Sequence, residues 1–223
     1  MTVVLCGSLG ATSAIFDAQA PALHEPVVRV DHPGHDGAAP AEVRTVADLA
    51  QRVLEQTDGR FSFVGVSLGG AVGMQLALTA PERIDKLVLA STSARFGEPS
   101  QWTERAALVR DEGLESIVDA VLARWFTTHP PDGFREMFLS TDRESYARCC
   151  DALARWDVRE ELGAIDVPTL VISGEHDPST PPEHGELIAS RIPGARFEVI
   201  PNAAHLANVE RADEFNRLLV GHL

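Results

Sequence analysis

Continuously apolar runs alternate along this chain with segments of helical period, and the alternation breaks only in the middle. Thr2–Leu5, Val27–Val30, Phe61–Val66, Lys86–Ala90, Thr169–Ser173 and Phe197–Ile200 are short runs rich in β-branched and aromatic residues. Such runs predict strands buried on both faces. Between them, Ala14–Leu23 is helix-like, and Val43–Thr57 sets Val43, Val46, Ala47, Ala50, Val53 and Leu54 at helical spacing. Ala71–Leu78 is apolar almost all round, which predicts a helix packed against a sheet, and Pro81 stops it. Strands alternating with helices predict a parallel sheet covered on both faces.

From about Glu98 to Glu161 no strand is legible. Apolar positions recur in Ala106–Val109, Ile117–Phe126 and Tyr146–Leu153, and Trp102, Trp125 and Trp156 all fall there. The expected organisation is an α/β core of residues 1–97 and 162–223, with a helical cap inserted at 98–161. Beyond the fifth strand, Thr180 reads as a helix N-cap, with Pro181 in the first turn and Glu183 completing a capping box. A final amphipathic helix carries Val209, Phe215, Leu218 and Leu219.

Composition narrows the function classes. A formal charge of −14 over 223 residues argues against nucleic acid or an anionic membrane as partner. An anionic substrate must then be met by locally placed arginines, Lys86 being the only lysine. No apolar run approaches the roughly 20 residues of a membrane span. The opening MTVVLCGSLG lacks the basic and long apolar regions of a signal peptide, so the cytoplasm is expected. Cys6, Cys149 and Cys150 make neither a disulfide framework nor a zinc pattern and read as core thiols. No phosphate loop or G-x-G-x-x-G follows a predicted strand, so no cofactor is expected, and none of the chemistry below needs a metal. The pattern leaves a homo-oligomer open.

The chemistry gathers around Gly65-Val66-Ser67-Leu68-Gly69, a G-x-S-x-G turn between a predicted strand and a predicted helix. Taken alone it is also a glycine-rich turn with a serine in it. A reversal this tight strains the central residue, and glycines two before and two after leave room for it. The turn lifts the Ser67 hydroxyl to the start of a helix, where the Leu68 N–H can meet a developing oxyanion. Ser67 is therefore the candidate nucleophile. Asp177 and His205 each follow a different predicted strand, and the order Ser, Asp, His is that of the nucleophile-elbow fold. A serine hydroxyl needs an imidazole to take its proton, and the imidazole needs a carboxylate to hold its tautomer. Glu175 is a rival acid and His35 a rival base, since both also follow strand ends. The loop Gly7-Ser8-Leu9-Gly10 supplies the second oxyanion donor, with the Leu9 N–H favoured.

With these residues in place, the chain resembles the α/β-hydrolases over nearly its whole length: GVSLGG at the elbow, GEHD at the acid loop, NAAHLANVE at the base loop. More narrowly it resembles the 3-oxoadipate enol-lactone hydrolases. The shared features are Ser8-Leu9-Gly10, Leu89–Ala94, Gln101-Trp102, Trp125-Phe126 and His184–Ala189. Relatives read Asp-x-Arg-Gly-His-Gly after the second strand, where this chain has Pro33 for the arginine and Asp36 for the last glycine. They also begin with a two-strand hairpin not found here, so a sheet of six strands is expected, with Val27–Val30 at its edge. The resemblance implies a lactonase acting on a small anionic lactone, with Trp125 and Arg124 against the substrate. The arginine meeting the substrate carboxylate is one of Arg95, Arg124, Arg148 and Arg155. The same triad would serve a general carboxylesterase or a C–C bond hydrolase of a ring-fission product. A non-catalytic ligand receptor on this fold usually lacks a triad member, and here all three are present.

Overall fold

The computed structural model describes residues 1–223. Six strands form one sheet in the order β2-β1-β3-β4-β5-β6, every pair parallel. They are β1 (Thr2–Cys6), β2 (Val27–Val30), β3 (Phe61–Val66), β4 (Ile84–Ala90), β5 (Thr169–Gly174) and β6 (Arg196–Ile200). β3 and β5 are buried at every position, as expected of parallel strands with both faces covered. The two edges are only partly covered. β2 is four residues long and β6 carries the Arg196–Glu198 ion pair, so shortness and charge blunt both edges against further pairing.

Helices α1 (Val46–Glu55) and α2 (Leu68–Thr79) flank β3 in the chain. Thr45 caps α1 through a reciprocal arrangement with Asp48, which starts the helix three residues later than its periodicity suggests. α2 is buried over nearly its whole circumference, matching its unbroken apolar composition.

Between β4 and β5 there is no strand. Helices α3 (Pro99–Glu112), α4 (Val118–Trp125), α5 (Phe134–Leu139) and α6 (Arg143–Ala154) fill the interval. Their buried faces belong to the same apolar cluster as the strands, which runs unbroken from Leu5 through Phe138 and Tyr146. Helix α7 (Pro182–Arg191) follows β5, and α8 (Ala207–Glu210) and α9 (Ala212–Val220) follow β6.

Three expectations are corrected. Ala14–Leu23 is not one helix but two short 3₁₀ turns, Ser13–Phe16 and Ala20–Ala22, broken where Pro21 enters. The closing helix divides at Arg211, whose φ of −131° and ψ of 54° interrupt the α ladder. Thr180 does not cap α7: Pro181 stands at the N-cap, no side chain caps the helix, and the Thr180 hydroxyl is used elsewhere. The three cysteines are free and buried, as expected of core thiols.

Candidate active site

β1 pairs with β2 on one side and β3 on the other, so the winding of the chain reverses between β1 and β3. A crevice opens beyond the carboxyl ends of the strands at such a switch point. The loops after β1 and β3 border it, joined by the Gly69 N–H donating to Gly7 O at 3.0 Å.

Ser67 occupies the turn from β3 into α2 with φ 58° and ψ −112°, a conformation that side-chain-bearing residues rarely adopt. Its surroundings fix it there. The Ser67 N–H donates to Ala90 O at 2.9 Å, and the Thr92 hydroxyl donates to Ser67 O at 2.7 Å. The flanking glycines are required by close approach. A Cβ at Gly65 would lie 2.2 Å from Gly69 O, and one at Gly69 would lie 2.1 Å from Cys6 O.

His205 sits in the loop after β6 and Asp177 in the loop after β5, each only 3% exposed. They meet at 2.8 Å between His205 Nδ1 and Asp177 Oδ2. Burial works against the charge on Asp177. The His205 ring and hydrogen bonds from His205 and Thr180 outweigh it, holding the carboxyl below its usual range. An ionised carboxylate only accepts, so Nδ1 carries the imidazole proton and Nε2 keeps a lone pair. Asp177 also accepts from the backbone N–H groups of Ser179 and Thr180 at 2.8 and 3.0 Å, and from the Thr180 hydroxyl at 2.7 Å. Thr180 is thus a clamp on the acid.

Ser67 and His205 line one cavity of about 580 Å³, with Ser8, Leu9 and Thr180 beside them. The Leu9 N–H makes no hydrogen bond within the chain, although its neighbour Gly10 N–H is taken by His35 Nε2 at 2.9 Å. Leu68 opens α2, so its N–H has no helical acceptor.

Both rivals are committed elsewhere. His35 is wholly buried, accepts from Gly10 through Nε2 and donates from Nδ1 to Pro33 O at 3.0 Å. Burial and the neighbouring His32 push it down to about 3, so it is a neutral staple between the loops after β1 and β2. Glu175 accepts from the Asn202 N–H at 2.9 Å and faces solvent beside the exposed His176.

Residues 3–218 match the model of the Alpha/beta hydrolase family. The chain belongs to that family. It is 34% identical over 228 residues to 3-oxoadipate enol-lactonase 2 of Acinetobacter baylyi, covering 96% of this chain and 85% of that protein. Among solved structures it superposes on a hydrolase from Pseudomonas aeruginosa with a TM-score of 0.95 and 41% identity, over 99% of this chain and 89% of that one. It superposes on the enol-lactonase from Burkholderia xenovorans LB400 with a TM-score of 0.94 and 37% identity, over 99% and 90% of the two chains.

The far wall of this hydrolase's cavity comes from the helices between β4 and β5. Phe96, Trp102, Arg105, Arg124, Trp125 and Tyr146 all face it. Of the four arginines expected near substrate, Arg124 lines the cavity. The others are occupied: Arg95 by Glu98, Arg148 by Glu42 and Glu144, and Arg155 by the carbonyls of Arg44 and Asp151. Arg105 lines it too, with no signal in the sequence beyond its place on a helix three residues from Trp102. Trp125 both lines the cavity and, through its carbonyl, accepts from the Leu206 N–H at 3.0 Å. Glu210 adds a second tie between the base loop and this wall, accepting from the Ala204 N–H at 2.8 Å and from Thr127. Neither tie is legible locally, because each partner lies some eighty residues away.

Proposed function

We propose that this hydrolase opens the ring of 3-oxoadipate enol-lactone by serine catalysis, releasing 3-oxoadipate in the breakdown of aromatic compounds. Ser67 is the nucleophile, His205 the base and then the acid, and Asp177 the carboxylate that holds His205. The reading is carried by one observation: the buried His205–Asp177 pair shares its cavity with a serine on a strained strand-to-helix turn.

The chemistry follows from the protonation states. His205 Nε2 takes the Ser67 proton as Oγ attacks the lactone carbonyl carbon. The N–H groups of Leu9 and Leu68 receive the negative charge that develops on the carbonyl oxygen. Collapse breaks the ring C–O bond, and the imidazolium returns the proton to the departing enolate oxygen. The resulting enol becomes the ketone, water attacks the acyl-enzyme with His205 again as base, and Ser67 is restored. An enolate is a good leaving group, so the enzyme's main task is to orient a small anion. Arg124 and Trp125, on the wall facing Ser67, suit that task.

No helix is long and apolar enough to cross a membrane, and we assign the reaction to the cytoplasm. Loss of enol-lactone absorbance, followed with purified protein and with Ser67→Ala, tests the reading. Turnover should fall by about 10³-fold or more in the variant. A wild-type protein that cleaves p-nitrophenyl esters but leaves the enol-lactone intact would discard this substrate while keeping the serine chemistry.

A further inference from the structure

Two cations on the cavity wall have no counter-ion within the chain. Most arginines of this acidic protein are paired; Arg29, Arg110, Arg135, Arg159 and Arg191 each hold a carboxylate oxygen. Arg105 and Arg124 do not, since neither has a carboxylate oxygen within 4.0 Å. Both face the cavity that holds Ser67. Glu104 borders the same cavity but stays beyond that distance. Burial, and then the charge of Arg105, depress the basicity of Arg124, so the two guanidinium groups are near enough to repel each other.

Each is held in place by something other than an acid. Arg105 lies over the Trp102 ring, 4.8 Å from its centroid. Trp102 is itself pinned, its indole N–H donating to Phe96 O at 2.5 Å and its ring meeting Phe96 edge-on at 6.2 Å. Stacking fixes the plane of a guanidinium and leaves its N–H edge free for a ligand. Arg124 donates from Nε to Ala120 O at 3.0 Å, which steadies the stem and leaves both terminal nitrogens without a protein acceptor. Tyr146, 1% exposed, faces the same cavity, and the charges of both arginines act on its hydroxyl. Two like charges collected around a half-buried hydroxyl are unfavourable unless an anion completes the set.

We propose that Arg105 and Arg124, with Tyr146, form a carboxylate subsite opposite Ser67. The enzyme then selects small lactones and esters whose non-reacting end carries a carboxylate. The fork of a guanidinium matches a carboxylate in two parallel hydrogen bonds, and the chain's overall negative field makes local recognition necessary. The inference rests on the serine-hydrolase reading of this cavity and names the substrates it takes.

A matched ester pair tests it: the p-nitrophenyl monoester of glutaric acid against p-nitrophenyl butyrate. The ratio of kcat/KM for the acidic over the neutral ester is read in wild type, Arg105→Gln and Arg105→Lys. Both esters are measured on one preparation, so partial misfolding lowers both rates and leaves the ratio intact. Wild type should favour the acidic ester. Arg105→Gln should lower the ratio by about tenfold or more, and Arg105→Lys, which keeps the charge but not the fork, by less. A ratio equal in all three proteins would overturn the subsite while leaving the Ser67 chemistry standing.

A binding arm needs no turnover. Glutarate titrated into Ser67→Ala should change the fluorescence of Trp102 and Trp125, and adding Arg105→Gln should raise the required concentration about tenfold or more. Dimethyl glutarate binding as well as glutarate would contradict the proposal. Arg105-dependent glutarate binding in a protein that cleaves neither ester would sustain the subsite and sink the hydrolase reading instead.

Discussion

Replacing Thr180 by Val isolates one hydrogen bond at the centre of the site. Thr180 is 1% exposed, and its hydroxyl donates to Asp177 Oδ2 at 2.7 Å while lying 3.4 Å from His205 Nδ1. Val preserves the branched shape and the backbone N–H bond to Oδ1, and removes only the hydroxyl. Asp177 keeps its bonds from Ser179, Thr180 N–H and His205. A hydrogen bond to a charged group contributes about 1.5–3 kcal/mol, and with the other partners intact the lower end, about 1.5 kcal/mol, is expected. Urea unfolding at pH 7 measures it.

The sign with pH is fixed by the direction of the shift. Asp177 is held below its usual range, so its contribution is full above the unfolded value of about 3.9 and fades as pH falls through the folded one. Losing the Thr180 donor raises the folded value, so the gap between wild type and variant should be widest near neutrality and narrow below about pH 4. Turnover should drop about tenfold, because the acid gains freedom to swing away from His205. A variant as stable and as active as wild type at pH 7 would refute the clamp.

Two other substitutions probe the same framework. Asp177→Asn keeps the size of the acid but can no longer enforce the Nδ1–H tautomer, so kcat should fall by about 10³–10⁴-fold in initial-rate assays with the fold retained by circular dichroism. Gly10→Ala places a Cβ 2.5 Å from the Phe138 ring at a φ of +80°, straining the loop that carries the Leu9 N–H. Thermal unfolding should show a loss of about 1–3 kcal/mol, and kcat should fall more than KM rises.

The catalytic frame was legible because its signals are local. A glycine-flanked serine between an apolar strand and an apolar helix, and an acid and a histidine just past strand ends, need only short-range reading. The same holds for the six strands, whose continuous apolar runs matched the sheet to within two residues at their ends. What stayed hidden depends on contacts across the chain. Thr180 carries the local signature of a helix cap, yet the carboxylate of Asp177 claims its hydroxyl and Pro181 takes the cap position. His35 looked like a competing base until its ring was found spent on Gly10 and Pro33. Residues 14–23 have helical composition, but Gln19 is drawn inward to Asn208 O and Asn216, and Pro21 prevents the α ladder from continuing. Arg105 had no distinguishing neighbour in sequence. Its place on the cavity wall exists only once α3 lies across the crevice.

The most direct test of the account is to find which side chain becomes covalently modified, and whether His205 is needed for it. The protein is treated with a fluorophosphonate and the adduct located by peptide mass spectrometry, in wild type and in His205→Ala. One adduct on Ser67, formed rapidly in wild type and at least about 10³-fold more slowly in the variant, is the predicted result. Modification of another residue, or labelling of Ser67 at the same rate without His205, would contradict it.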